Sequence, residues 1–395
     1  MCIQHKVMLK DRQIVHLDLN SFFVSVERKL DRKLIDQPVI IGGSTDRGIV
    51  ISCSHEARKF GIHFGMPVHM AKYLCPHVKY CNGNMDEYEK ESKTVTEILQ
   101  QKAPVVEKLS LAEHYLDITG MDKFIGCFKW SNELKNFVTR ETGLSLSSGL
   151  SVNKTVAKVA SGEIKPGGTR SVSPLEIKPF LDPLYIQKIP GIGTKAYQKL
   201  YSMGVQRIHT LTQIHPDQMF RILGQHGTTI WQQANGIDNT PIIPYQDRKS
   251  ISAEKTFDED TIDIEVIDQV LTAMITDLAF QLRKESRLCA CMSVKIRYSN
   301  YETVNQQQSF HYTSMDNLLL ARAKDMFRKL YSKRMLIRLV SIKLTKLVNG
   351  YEQIDLYDTE HERYDLYQAM DKIRKRFGNK AVRIASTIPA LSRVP

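Results

Sequence analysis

The chain has 395 residues, 42% hydrophobic and 25% charged, with a formal net charge of +12. That length and composition suit about two to four soluble domains with real cores, and the basic surplus suits either a polyanionic partner or a merely soluble basic enzyme. Seven scattered cysteines without a C-x-x-C pair argue against a disulfide scaffold or a zinc site, and no signal-type or membrane-length apolar run is present, so the cytoplasm is the expected location.

In chain order, residues 14–19 read as a short apolar strand carrying one acid, Asp18. Residues 38–43 and 48–52 are two further strands across a polar turn, and 56–61 is a short helix stopped by glycine. Residues 85–101 form a charged amphipathic helix, and 105–119 a strand pair around Ser110 to Glu113. A helix over 129–140, a strand over 144–150 and a helix over 153–164 follow, the last closed by Lys165-Pro166-Gly167-Gly168. Strand, helix, two strands, helix, strand is the order of a ferredoxin-like sheet, with residues 38–74 inserted after its first strand. Residues 183–238 read as short helices punctuated by glycine, and 239–248 as a linker. A second α+β unit comes after it. Met292, Val294, Ile296 and Tyr298 alternate with Ser293, Lys295, Arg297 and Ser299; Val340, Ile342 and Leu344 alternate with Ser341, Lys343 and Thr345; a helix over 317–333 lies between. Cys289 and Cys291 are expected to share one face of a strand.

Asp18 and Glu113 look like two halves of a site that holds two divalent ions between clustered carboxylates. Each alone also reads as an ordinary cap or surface acid. A third carboxylate is expected beside Glu113, and Ala112 stands there instead. Pro190-Gly191-Ile192-Gly193, followed by Thr194-Lys195, resembles the turn of a helix-hairpin-helix, which grips duplex backbone; a plain interhelix turn is the alternative. Residues 224–227 are a degenerate candidate for a second copy. Lys295, Arg297 and Lys343 fall on the polar side of the second sheet, which either meets phosphates or is merely solvated. Arg58 and Lys165 are cations suited to a triphosphate or simply to the surface. Gln353-Ile354-Asp355-Leu356-Tyr357 has the make-up of a segment that docks in a partner's groove, or of a last strand.

These pieces, in this order, resemble the Y-family translesion DNA polymerases of the bacterial polymerase IV type. The resemblance runs from about Val15 to Phe377 through HLDLNSFFVSVE, SHEARKFGI, GMP, SLAEHYLD, GLSVNKTVAKVAS, KPGG, IPGIG, RKSISAEKTF and IRLVSIKL. It implies an α/β and α+β multidomain chain. The expected parts are a ferredoxin-like palm (1–21 and 84–172), inserted fingers (22–83), a helical thumb with the helix-hairpin-helix (173–240), a linker (241–249), an α+β little finger (250–350) and a tail (351–395). It implies that Asp18 bridges two magnesium ions, that the Leu19 carbonyl adds a ligand and that Glu113 is the active-site glutamate. Phe23 matches the gate that crowds a 2′-hydroxyl, with Phe22 beside it in the nucleotide pocket. Arg58 and Lys165 match the triphosphate cations. Gly191, Gly193, Lys195, Lys295, Arg297 and Lys343 are the expected DNA contacts, and residues 353–357 the segment for the sliding clamp. Primer–template DNA and deoxynucleoside triphosphates are the expected partners of a monomer.

Two departures stand out. His55 replaces a usual tyrosine, and Ala112 replaces the metal-binding aspartate. The expected function is therefore template-directed DNA synthesis impaired at the metal site. The alternative is a non-catalytic paralogue or inactivated variant that occupies primer–template DNA. A nucleotide cyclase on the same palm fits less of the chain, since it leaves the helix-hairpin-helix and the second basic domain without a purpose.

Overall fold

The structure, a computed structural model, describes residues 12–43, 47–121, 126–244, 247–352, 361–379 and 381–387. The chain divides into two compact units between residues 246 and 247. None of its described helices is long and apolar enough to cross a membrane.

In the first unit β1 (Ile14–Leu19) is buried at every position. Ser21, in the left-handed region at φ 43°, turns the chain directly into α1 (Phe22–Leu30), which buries Phe22, Val24 and Val26. A small sheet follows: β2 (Val39–Gly42) lies between β3 (Val50–Cys53), antiparallel to it, and β4 (Lys79–Asn82), parallel to it. Between β3 and β4 come α2 (His55–Arg58), whose first turn is capped by the Ser54 hydroxyl, and α3 (Val68–Leu74). The glycine-stopped helix expected over 56–61 is thus shorter and starts one residue earlier.

The main sheet is built from α4 (Met85–Lys102), β5 (Val105–Lys108), β6 (Glu113–Asp117), α5 (Cys127–Thr142), β7 (Leu146–Ser151), α6 (Lys154–Glu163) and β8 (Thr169–Ser171). Its strand order is β5-β6-β1-β7-β8, with β1 antiparallel to both neighbours. The first four strands have the ferredoxin-like order, and the central place of β1 explains why even its polar residues are buried. One sheet face carries Val15, Leu17, Leu19, Val106 and Leu116 against Val95, Leu99, Leu134 and Val138 of α4 and α5. On the other face Ile14 and Tyr115 meet Ala157 of α6. That helix starts at Asn153, whose side chain accepts from the Val156 N–H at 2.9 Å. It lies so close to β7 that a Cβ on Gly149 would come within 2.1 Å of the Ala157 carbonyl oxygen. Its outer residues Val156, Val159 and Ala160 join a helical core with α7 (Ile177–Leu181), α8 (Thr194–Ser202), α9 (Ile208–Thr212), α10 (Pro216–Leu223) and α11 (Gln225–Ala234).

The second unit holds β9 (Ser250–Thr261), α12 (Ile264–Lys284), β10 (Arg287–Tyr298), β11 (Thr303–Thr313), α13 (Asp316–Leu330), β12 (Ile337–Thr345), β13 (Val348–Asn349) and α14 (His361–Phe377). The sheet order is β11-β10-β12-β9. Met292, Val294, Ile296, Val340, Ile342 and Leu344 pack on α12 and α13, leaving the other face polar. The two cysteines do not share a face. A register shift between Cys289 and Cys291 inserts a bulge, so Cys289 enters the core while Cys291 turns to the polar side and accepts from Gln307. The helix expected over 317–333 runs Asp316–Leu330. Part of the expected tail is structured: α14 meets α12 through Asp371, whose carboxylate lies 2.6 Å from the Arg283 guanidinium, itself 2.5 Å from Asp316. Residues 353–357 lie outside the described residues.

Candidate active site

The register of β1 and β6 sets Asp18 directly opposite Glu113. Directly paired residues project on the same side of a sheet, so both carboxylates face α6. Four polar residues meet that face from α6 and the loop after it. Lys154 reaches Glu107 on β5 at 2.7 Å, Lys158 reaches Glu113 at 2.8 Å, Ser161 meets the His16 ring at 2.7 Å, and Lys165 contacts Asp18. Positions 154, 158, 161 and 165 are spaced by one helical turn each, which makes a single polar stripe over the strand ends. Asp18 is 8% exposed, and burial pushes its carboxyl above the usual aspartate range; the Glu113 charge adds to this while Lys165 opposes it.

A second set of bonds ties the lysine loop to the strand carrying Asp18. The Asn20 amide donates to the Ser145 hydroxyl at 3.0 Å and accepts from the Ser147 hydroxyl at 2.9 Å; Ser147 in turn accepts from the Gly167 N–H at 2.9 Å. Neither Lys158 nor Asn20 stands out as a site residue in the sequence. The signal for Lys158 is the spacing of polar residues along an otherwise small, apolar helix.

The turn before β6 is tied down by hydrogen bonds. The Ser110 hydroxyl accepts from the N–H groups of Ala112 and Glu113 at 3.3 and 3.2 Å, Ser92 donates to the Leu111 carbonyl at 2.7 Å, and the Ala112 carbonyl accepts from the Leu19 N–H at 2.9 Å. The Ala112 methyl packs against the apolar cluster of the sheet. No described neighbour replaces the absent oxygens. His114 is buried on the α4 side against the Thr96 hydroxyl at 2.9 Å, and burial pushes its pKa down to about 4. Asp117 sits at the far end of β6, opposite Ile14, and accepts from Thr119. Among the described residues no three His, Cys, Asp or Glu side chains cluster as a metal site.

Phe22 is buried and Phe23 half-buried. The Phe23 ring lies 4.6 Å from that of Tyr88 and 5.5 Å from that of Phe22, and the Tyr88 hydroxyl donates to Glu27 at 2.5 Å. His55 and Arg58 are exposed on α2. Burial lowers the His55 pKa first; the Arg58 charge lowers it further, Glu56 opposes this, and Arg28 and Lys165 add to the lowering. Arg58 makes no ion pair among the described residues.

Away from the carboxylates, Gly191 has φ 92°, which favours glycine, and its carbonyl accepts from the His226 ring at 2.9 Å. The N–H groups of Ile192 and Gly193 close their own turn on Ile189 and Gly191. No side chain caps α8, so its first N–H groups, from Thr194 and Lys195 onward, point out of the helix start. Gly224 makes the turn from α10 to α11, and Gly227 lies inside α11. In the second unit Lys295 pairs with Glu254 at 2.6 Å and Arg297 donates to Thr303 at 3.1 Å, while Lys343 is exposed and unpaired among the described residues.

The impB/mucB/samB family profile matches residues 17–162, and the profile of that family's C-terminal domain matches 248–356. The chain is 32% identical over 380 residues to a DNA polymerase IV of Dehalococcoides mccartyi, covering 95% of this chain and 97% of that one. It is 33% identical over 343 residues to a DNA polymerase IV of Listeria innocua, covering 86% and 96%. The chain belongs to the Y-family DNA polymerases. By family it is a DNA-directed DNA polymerase of the polymerase IV type. A solved Y-family DNA polymerase chimera superposes with a TM-score of 0.78 at 24% identity, over 86% of this chain and 100% of that one. The fold is accordingly that of the Y-family polymerases, its mixed sheets and helices consistent with palm, fingers, thumb and little finger.

Proposed function

We propose that this chain is built for template-directed, lesion-bypass DNA synthesis and that Ala112 holds its activity far below that of a complete site. The reaction is attack of a primer 3′-hydroxyl on the α-phosphate of a deoxynucleoside triphosphate, with release of pyrophosphate. The observation that carries this reading is the Asp18–Glu113 register, with Lys165 against Asp18. Asp18, Glu113 and the Leu19 carbonyl are the groups that would hold magnesium, which when bound supplies positive charge to the reacting oxygens. Asp18 and Glu113 bring two carboxylates to the two magnesium ions expected from the family, and Ala112 brings none. Arg58 and His55 bind the triphosphate from the fingers and Lys165 from the palm. Phe23, held by Phe22 and Tyr88, crowds the 2′ position of the sugar. The uncapped start of α8, with Gly191, Gly193 and Lys195, and the polar sheet face with Lys295, Arg297 and Lys343 take the DNA backbone. The domain limits expected from the sequence, a monomeric state, a cytoplasmic location and clamp docking through residues 353–357 belong to the same reading.

Primer extension with magnesium and all four deoxynucleotides tests it, on the unaltered chain and on Ala112→Asp. The unaltered chain is expected to extend very slowly or not at all, and the aspartate to raise the rate by roughly three orders of magnitude. Brisk synthesis by the unaltered chain would show that two carboxylates suffice. A second reading, a non-catalytic protein that occupies primer ends, is favoured by the lack of a three-ligand cluster among the described residues. Tight primer–template binding without extension by either chain would select it.

A further inference from the structure

The small sheet and its two helices have a complete core of their own. Ile40, Val50, Cys53, Ala57, Ile62, Val68, Ala71 and Cys75 fill it, so α3 faces inward with Val68 and Ala71. The apolar residues left outside are therefore not spare core. Tyr73 is 82% exposed, Phe64 72% and Phe60 43%, and Met70 and Leu74 join Tyr73 on the outer side of α3. From residue 57 to residue 85 the chain holds Arg58, Lys59, Lys72 and Lys79 and three histidines, with no aspartate or glutamate. None of these four cations is paired with a carboxylate among the described residues; Lys72 instead lies over the Tyr80 ring at 5.3 Å.

Exposed aromatic rings interleaved along the chain with cations that pair with no carboxylate among the described residues offer bases a place to stack and phosphates a neutralising charge. We propose that this outer face of the fingers, centred on Phe64 and Tyr73 with Lys59 and Lys72, binds unpaired single-stranded DNA. Duplex offers its phosphates but not its base faces, so rings this exposed gain from a single strand what a double strand withholds. The occupant is the unpaired template ahead of the primer end, a strand that only a DNA-bound chain meets, so the inference rests on the polymerase reading.

The test needs no catalysis. Fluorescence anisotropy of the full chain would compare a blunt duplex with the same duplex carrying a thymidine overhang of about twelve residues. The unaltered chain is expected to prefer the overhang. Phe64→Ala with Tyr73→Ala should weaken overhang binding about tenfold and leave blunt-duplex affinity unchanged. Lys59→Gln with Lys72→Gln should act in the same direction and reduce the salt dependence of the overhang increment alone. Equal loss on both DNAs, or no loss on either, overturns the proposal. So does loss of self-association in sedimentation in place of loss of DNA binding, which would make the face a protein interface. Absence of all DNA binding by the unaltered chain would sink the polymerase reading as well; overhang-independent binding would sink this inference alone.

Discussion

The turn at position 112 is held by backbone hydrogen bonds, to the Ser110 hydroxyl and from the Leu19 N–H, that do not depend on the side chain there. Ala112→Asp is therefore expected to fold normally, with a melting temperature within a few degrees of the unaltered chain, while raising extension. Phe23→Ala in that background should increase ribonucleotide incorporation relative to deoxynucleotide, read by single-turnover kinetics; unchanged discrimination would place the gate elsewhere. Asn20 links β1, β7 and the lysine loop through buried hydroxyls. Asn20→Ala should cost about 1–2 kcal/mol in denaturant unfolding, because it leaves buried polar groups unsatisfied. Asp18, Glu113 and Lys165 are legible in the sequence because their motifs are contiguous. Lys158 and Asn20 are not, since what identifies them is a partner on a distant strand.

At the scale of elements, α6 matters most, because it faces the sheet with one stripe and the helical core with another. Gly149 allows that approach. Gly149→Ala forces a methyl against the Ala157 carbonyl and should destabilise the first unit by about 3 kcal/mol in urea melts. The sheet also carries two buried histidines held neutral by burial, His16 and His114. Their folded pKa values lie below the ordinary 6.5, so the folded state binds fewer protons than the unfolded one. Stability should be flat above that value and fall as pH drops toward about 4, where His114 titrates in the folded state, by roughly 1.4 kcal/mol per pH unit for each histidine. Calorimetry between pH 8 and pH 5 checks this; His114→Gln should flatten part of the slope. The strand and helix order is readable from apolar periodicity. The bulge at Cys289 is not, because no glycine or proline marks it and it shows only in the pairing with β11.

For the whole molecule, the net charge of +12 sets the expectation for DNA. Affinity should fall steeply with salt and show no sequence preference, and replacing Lys295, Arg297 and Lys343 with glutamine should lower the salt slope by about one for each phosphate no longer neutralised. Binding indifferent to salt would contradict this. Charge alone suggests a polyanion, but the sequence leaves open whether the polar strand positions lie on one continuous face; the four-stranded register is what aligns them. Arg283 has a consequence for the family's history. Its guanidinium is buried between Asp316 and Asp371, and Asp371 belongs to α14, beyond residue 356 where the C-terminal family profile ends. Removing one carboxylate from such a pair leaves a buried charge only partly compensated. Arginine at 283 and the C-terminal helix should therefore be inherited together, and relatives that stop before the helix should carry an uncharged residue at that position.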